Sequence, residues 1–149
     1  MQAISRLVLA LMFSIGLACC SVGYNKQWNN SLAQSPKPPV DVTGAWKGIW
    51  HSDGNGHQGE LRCYVTLLDP KTGECQFHYH AVFMGFLSAS YEVSHFVKKT
   101  PQGFTFAGDQ TLKGLGGGLY HYEGHGTPTE FHATYKSSFD HGTFELKRP

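Results

Sequence analysis

The sequence has little charge and no surplus of either sign: charged residues make up 15% of it, with 12 Lys plus Arg against 11 Asp plus Glu. So balanced a chain has no net field to recruit nucleic acid, and no nucleic-acid partner is expected. Long apolar runs are also missing. The most apolar stretch, Leu7 to Leu17 ("LVLALMFSIGL"), falls well short of the roughly 20 residues that a helix needs to cross a hydrocarbon core. From Val42 onward there is no 3.6-residue apolar stripe, which argues against a helical core. The Gly-rich "KGLGGGLY" lacks the Gly-Lys-Ser/Thr ending of a phosphate loop, and no Gly-x-Ser-x-Gly elbow occurs. No cofactor is expected, and composition alone assembles no catalytic triad.

What is present is glycine and aromatic side chains: 18 Gly, 10 Phe, 7 Tyr and 3 Trp, a mixture that suits short strands joined by tight turns. A chain of 149 residues is enough for one domain with a core. Short alternating runs fall approximately at 44–50, 58–68, 74–84, 88–98, 103–112, 118–126, 129–137 and 141–148, separated by turn-formers such as "SDGNG", "DPKTG" and "TPT". Connections this short make neighbouring strands antiparallel. The expected fold is all-β, a single eight-stranded up-and-down antiparallel barrel.

The first residues read differently. Arg6, the apolar run and the small residues after it have the form of a secretory signal peptide, and "LACC" resembles the lipobox of bacterial lipoproteins. That resemblance implies lipid on Cys20 after loss of residues 1–19, with Leu17 and Ala18 in their usual places. Modification at Cys19, or ordinary cleavage after Ala18, are the alternatives. The expected location is the cell envelope, on its periplasmic or outer-membrane face, with the membrane as partner through the N-terminal lipid; soluble secretion is the other outcome. Residues 20–41 show no period and end in "PKPP", so they are expected to be a flexible tether to a barrel spanning 42–149. A lone Trp28 in such a tether is expected to matter little.

Register can be tested on the second and third runs. Placing Leu68 opposite Glu74 sets Leu67 against Cys75, Val65 against Phe77, Cys63 against Tyr79 and Leu61 against Ala81, with every apolar residue on one face. Cys63 and Cys75 then lie roughly 13 Å apart at about 3.3 Å per residue, beyond the reach of a disulfide, and are expected to be buried thiols. Setting Phe83 opposite Ala89 carries the inward face on through Tyr91, Val93, His95 and Val97, then Phe104, Phe106, Gly108 and Gln110. Tyr91, His95 and Gln110 are the polar members of that face. They are the candidate ligand-binding residues of a mostly apolar pocket, unless they satisfy one another in a filled core.

The first strand, "TGAWKGIW", resembles the Gly-x-Trp opening strand of the lipocalins and of related avidin-like and nitrobindin-like barrels. The likeness implies a small barrel with a ligand cavity, Trp46 at its closed end, and Lys147 or Arg148 over the indole as a structural cation. The pair in "FHYHA" resembles the His-x-His of cupins, but no Glu follows. In the register above, His78 and His80 face solvent with Arg62 nearby, so no metal site is expected. Two functions stay open: a binding module for an apolar small molecule or a protein partner, and a metal-assisted enzyme of cupin-like type. A purely structural envelope lipoprotein is a third.

Overall fold

The computed structural model describes residues 22–113 and 117–149. Eight strands follow one another as β1 (Gly44–Ser52), β2 (Gln58–Asp69), β3 (Glu74–Phe83), β4 (Leu87–Thr100), β5 (Gly103–Leu112), β6 (Gly118–Gly126), β7 (Glu130–Lys136) and β8 (His141–Lys147). Each pairs antiparallel with the next, and β8 returns to β1 through Lys47↔Lys147 to Ser52↔Gly142, closing an up-and-down barrel. Closure pairs every strand on both sides, so no edge is left open.

Period-2 alternation decides which side chains enter the barrel, and β7 and β8 show it most plainly: Phe131, Ala133, Tyr135 and Phe144, Leu146 point in while their neighbours point out. Between β2 and β3 the pairs Leu61↔Ala81, Cys63↔Tyr79, Val65↔Phe77 and Leu67↔Cys75 are those expected from alternation. Cys63 and Cys75 are accordingly separate, buried and free.

Two local registers differ from expectation. A bulge between Leu67 and Asp69 pairs Asp69, not Leu68, with Glu74 and leaves Leu68 exposed. The turn is held by Asp69, whose carboxylate accepts the Lys71 amide and whose carbonyl accepts the Gly73 amide. At the next hairpin Phe83 pairs with Leu87 and Ala81 with Ala89. Met84 and Gly85, with φ of 52° and 80°, form the two-residue left-handed turn that matches strand twist, which takes up less chain than the longer turn expected from "MGFLS". The shift is by two residues, so the inward face of β4 is unchanged.

The larger correction lies before the barrel. Residues 22–34, expected to be a tether, form a helix, α1, laid on the outside of β1 to β3. Its contacts come from Tyr24, Asn25 and Trp28, with Ser35 just past its end, a set at helical spacing but half polar, and so invisible to an apolar-stripe search. Tyr24 is buried and donates to the His78 carbonyl (3.0 Å), Trp28 Nε1 donates to the Trp46 carbonyl (3.3 Å), and Arg62 donates to Asn25 (2.9 Å). At the far end Ser35 accepts the Ala45 amide. His80, expected in solvent, is covered as a result: the Tyr24 ring stacks on it at 4.7 Å and it is 4% exposed.

Candidate functional site

The interior has two halves of different chemistry. At the end where the chain enters β1, the interior is filled with apolar rings beneath a surface groove of about 430 Å³ lined by Val42, Cys75, Val97 and Phe104. Trp46 is fully buried, its indole meeting Phe131 edge-on at 4.8 Å and Phe104 at 6.3 Å, and Phe77 and Phe106 pack beneath them at 4.9 Å from each other. Trp46 Nε1 donates to the Val42 carbonyl at 2.8 Å.

Arg148 closes this end. Its guanidinium lies 3.7 Å from the Trp46 ring centroid and donates to the carbonyls of Pro128, Ala45 and Asp41. A planar fork over an indole, bonded to three separate segments, ties the C-terminus to the chain entering β1. Burial lowers the Arg148 pKa to about 10, which leaves it charged at neutral pH. Trp46 and Arg148 thus meet at this end, and of the two C-terminal cations considered Lys147 instead points outward to Glu130. Gly48 makes room for β8 and not for the indole, because a Cβ there would lie 1.8 Å from the Glu145 carbonyl oxygen.

The other half is hollow. A cavity of about 520 Å³ opens at the end formed by the β1–β2, β3–β4, β5–β6 and β7–β8 connections. Its wall is aromatic: Trp50, Phe83 and Phe144 with the tyrosines Tyr91, Tyr120, Tyr122 and Tyr135. Trp50 is fixed by a bond from Nε1 to the Val82 carbonyl (3.0 Å), which it reaches by crossing Gly59; a Cβ at Gly59 would sit 2.8 Å from that nitrogen. Asp140 at the edge is held on both oxygens, by Ser52 Oγ at 2.6 Å and by the Tyr135 hydroxyl at 3.0 Å. Burial raises the pKa of Tyr91, Tyr122 and Tyr135, so the phenols remain protonated donors at neutral pH.

Of the three candidate ligand residues, only Tyr91 lines this cavity. His95 lies below it, fully buried between Phe77 (4.5 Å), Phe106 (4.9 Å) and Tyr122 (5.4 Å), with neither ring nitrogen hydrogen-bonded. Desolvation lowers its pKa to about 3, so the imidazole is neutral. Gln110 faces Tyr120 across the β5–β6 ladder but is not part of the wall, which β5 supplies through Leu112. The Tyr79 hydroxyl, packed between Tyr91 and Phe144, is likewise buried without a partner.

Tyr120, Tyr122, Tyr135 and Phe144 are the wall residues that the sequence reading missed. Alternation along "GLYHYEG", "EFHATYK" and "HGTFELK" carried the signal, on the inward face continued past β5. Among the described residues no three His, Cys, Asp or Glu side chains are placed to hold a metal ion. His78 stacks on Tyr64 at 4.1 Å and bonds Glu92 at 2.9 Å, while His80 bonds Ser90 at 2.7 Å, so the His-x-His pair is divided between different partners. Cys20 and most of the Gly-rich connection after Lys113 lie outside the described residues.

A closed eight-stranded antiparallel barrel, plugged at one end and hollow at the other, is the class of protein that these features define, and it is consistent with a calycin-like fold. No protein-family model matches the chain, and neither a curated protein nor a solved structure matches it.

Proposed function

We propose that this is an exported, lipid-anchored envelope protein whose barrel is a binding module for an apolar, ring-containing small molecule. The observation that carries the binding reading is the aromatic cavity at the open end. Its volume lies within the roughly 300–1,000 Å³ of small-molecule sites, and its few polar groups are phenols set in an apolar wall. Planar ligands suit such walls, because ring faces and edges attract in offset and edge-on contacts. The unpartnered Tyr79 hydroxyl and His95 nitrogens beneath the wall keep polar atoms close to the cavity floor, in a core otherwise closed by rings.

A neutral fluorescent naphthylamine serves as the probe. Ala89, on the cavity wall, is exposed, so Ala89→Trp adds a ring in the opening without displacing core atoms. The variant is expected to bind the probe about tenfold more weakly or worse, a loss of about 1.4 kcal/mol, at an unchanged melting temperature. Equal titration curves for the two proteins would remove the cavity as the site.

The anchoring reading is supported by the sequence at Leu17, Ala18 and Cys20. Intact mass of the full chain from a bacterial host is expected to show acyl chains that Cys20→Ser abolishes. A Cys20→Ser protein still acylated at Cys19 would move the anchor by one residue.

A further inference from the structure

Among the described residues, three of the most exposed large apolar side chains stand at the open end of the barrel. Met84 and Phe86 at the β3–β4 turn are 71% and 76% exposed, Phe139 in the β7–β8 connection is 71% exposed, and Leu119 at the start of β6 is 61% exposed. Phe139 approaches Gly118, so these two connections form one edge, and Met84 and Phe86 stand on another hairpin of the same mouth. The opposite end differs. Its exposed apolar residues, Val40, Leu67, Leu68 and, opposite Glu74, Phe96, are interspersed with Asp69, Lys71 and Lys99.

The helix shows which way the chain leaves. β3 runs from Cys75 at the plugged end to Phe83 at the mouth, and Tyr24 near the start of α1 sits over His78 and His80, about midway along that strand. Ser35, beyond the end of the helix, reaches Ala45 at the plugged end. The helix therefore runs obliquely from the plugged end to the middle of the barrel wall, and its N-terminus is the end nearer the mouth. Because α1 is held by Tyr24, Asn25 and Trp28, it is no tether. One residue, Ser21, separates Val22 from Cys20, and the two steps span at most roughly 7 Å.

We infer that the mouth of the barrel rests on a phospholipid bilayer, with Met84, Phe86 and Phe139 in the interfacial layer and the aromatic cavity opening toward the acyl chains. This rests on the reading that residue Cys20 is lipid-anchored. A short link to a docked helix holds the barrel against the surface and fixes which end faces it. Exposed Phe, Met and Leu around an opening are the side chains that enter the interface, and an apolar patch rimming a cavity is the usual mark of a contact surface. A ligand in the cavity would then pass between barrel and membrane without crossing water.

Full-length protein is reconstituted into vesicles of phosphatidylethanolamine and phosphatidylglycerol with brominated acyl chains, as wild type, Phe86→Trp and Gln102→Trp. Gln102 is in the β4–β5 turn at the plugged end. Emission added by Phe86→Trp over wild type is expected to shift to the blue and lose more than half its intensity to bromine, while that added by Gln102→Trp keeps its intensity. Protein that fails to float with the vesicles overturns the anchored reading itself. Floating protein in which both added tryptophans stay bright, as when a protein partner covers the rim or the barrel stands off, overturns the mouth-down placement alone. So does quenching of the Gln102→Trp signal in place of the other. Probe binding to the Ala89→Trp variant is measured separately and is independent of all three outcomes.

Discussion

Trp46→Ala is expected to destabilise the barrel by about 3 to 5 kcal/mol, the range for truncating a buried large aromatic side chain. The ring is fully buried, and its removal takes away the edge contacts with Phe131 and Phe104 and the bond to the Val42 carbonyl. It also leaves the Arg148 guanidinium over a void, still bonded to three carbonyls but without the indole face beneath it. Arg148→Lys should recover the charge and not the clamp, since one ammonium cannot serve three carbonyls from the same position, and a loss of about 1 to 3 kcal/mol follows. Trp28→Ala is the comparison. It was expected from the sequence to do nothing, but its bond to the Trp46 carbonyl and its place under Arg62 give it an expected cost of about 1 kcal/mol. Chemical denaturation of the three variants checks the order Trp46, Arg148, Trp28. Equal midpoints for Trp46→Ala and wild type would rule out closure around this ring.

The second large effect is a dependence on pH that His95 imposes. Burial holds its folded pKa at about 3, against about 6.5 for an unfolded histidine. Between those values the unfolded chain binds the proton and the folded one does not, so stability rises with pH. It is fully present above about pH 6.5 and is lost as pH falls toward 3. By pH 4 the loss attributable to this residue is expected to be about 3 kcal/mol.

His95→Leu removes the titration together with two buried nitrogens that have no partner, so at pH 7 it should be neutral or stabilising. The difference in unfolding free energy between variant and wild type should widen in the variant's favour from pH 7 to pH 4, while carboxylate titrations common to both cancel. Parallel stability curves over that interval would show that His95 is hydrated or paired in the folded protein. His80, whose pKa burial under α1 also lowers, acts in the same direction in both proteins.

Much of the barrel was legible from sequence because a strand states its two faces locally. Turn residues mark where each strand stops, and alternation separates Cys63, Val65, Phe77 and Tyr79 from Arg62, Tyr64, Gln76 and His78 before any partner is known. The same local rule put Cys63 and Cys75 out of reach of each other. These are properties of single strands or of adjacent pairs, carried by residues close together in the chain.

What only the tertiary structure decided depends on closure. Whether the interior is filled or hollow is set by side-chain volumes summed around eight strands, and Phe77, Phe104, Phe106 and Phe131 fell at one end with Trp46 while Tyr91, Tyr120, Tyr122 and Tyr135 fell at the other. Tyr91 therefore faces a cavity, while His95, two pairs along the same strand, is sealed beneath it by Phe77, Phe106 and Tyr122. The docking of α1 was hidden for a similar reason. Its polar contacts are Asn25 and, past its end, Ser35, and Tyr24 and Trp28 become apolar partners only once β2 and β3 lie side by side and present Arg62, Tyr64, His78 and His80 as a surface. A helix whose footprint is made by two paired strands cannot be read from its own residues, and with it went the burial of His80 and the direction in which the chain leaves the barrel.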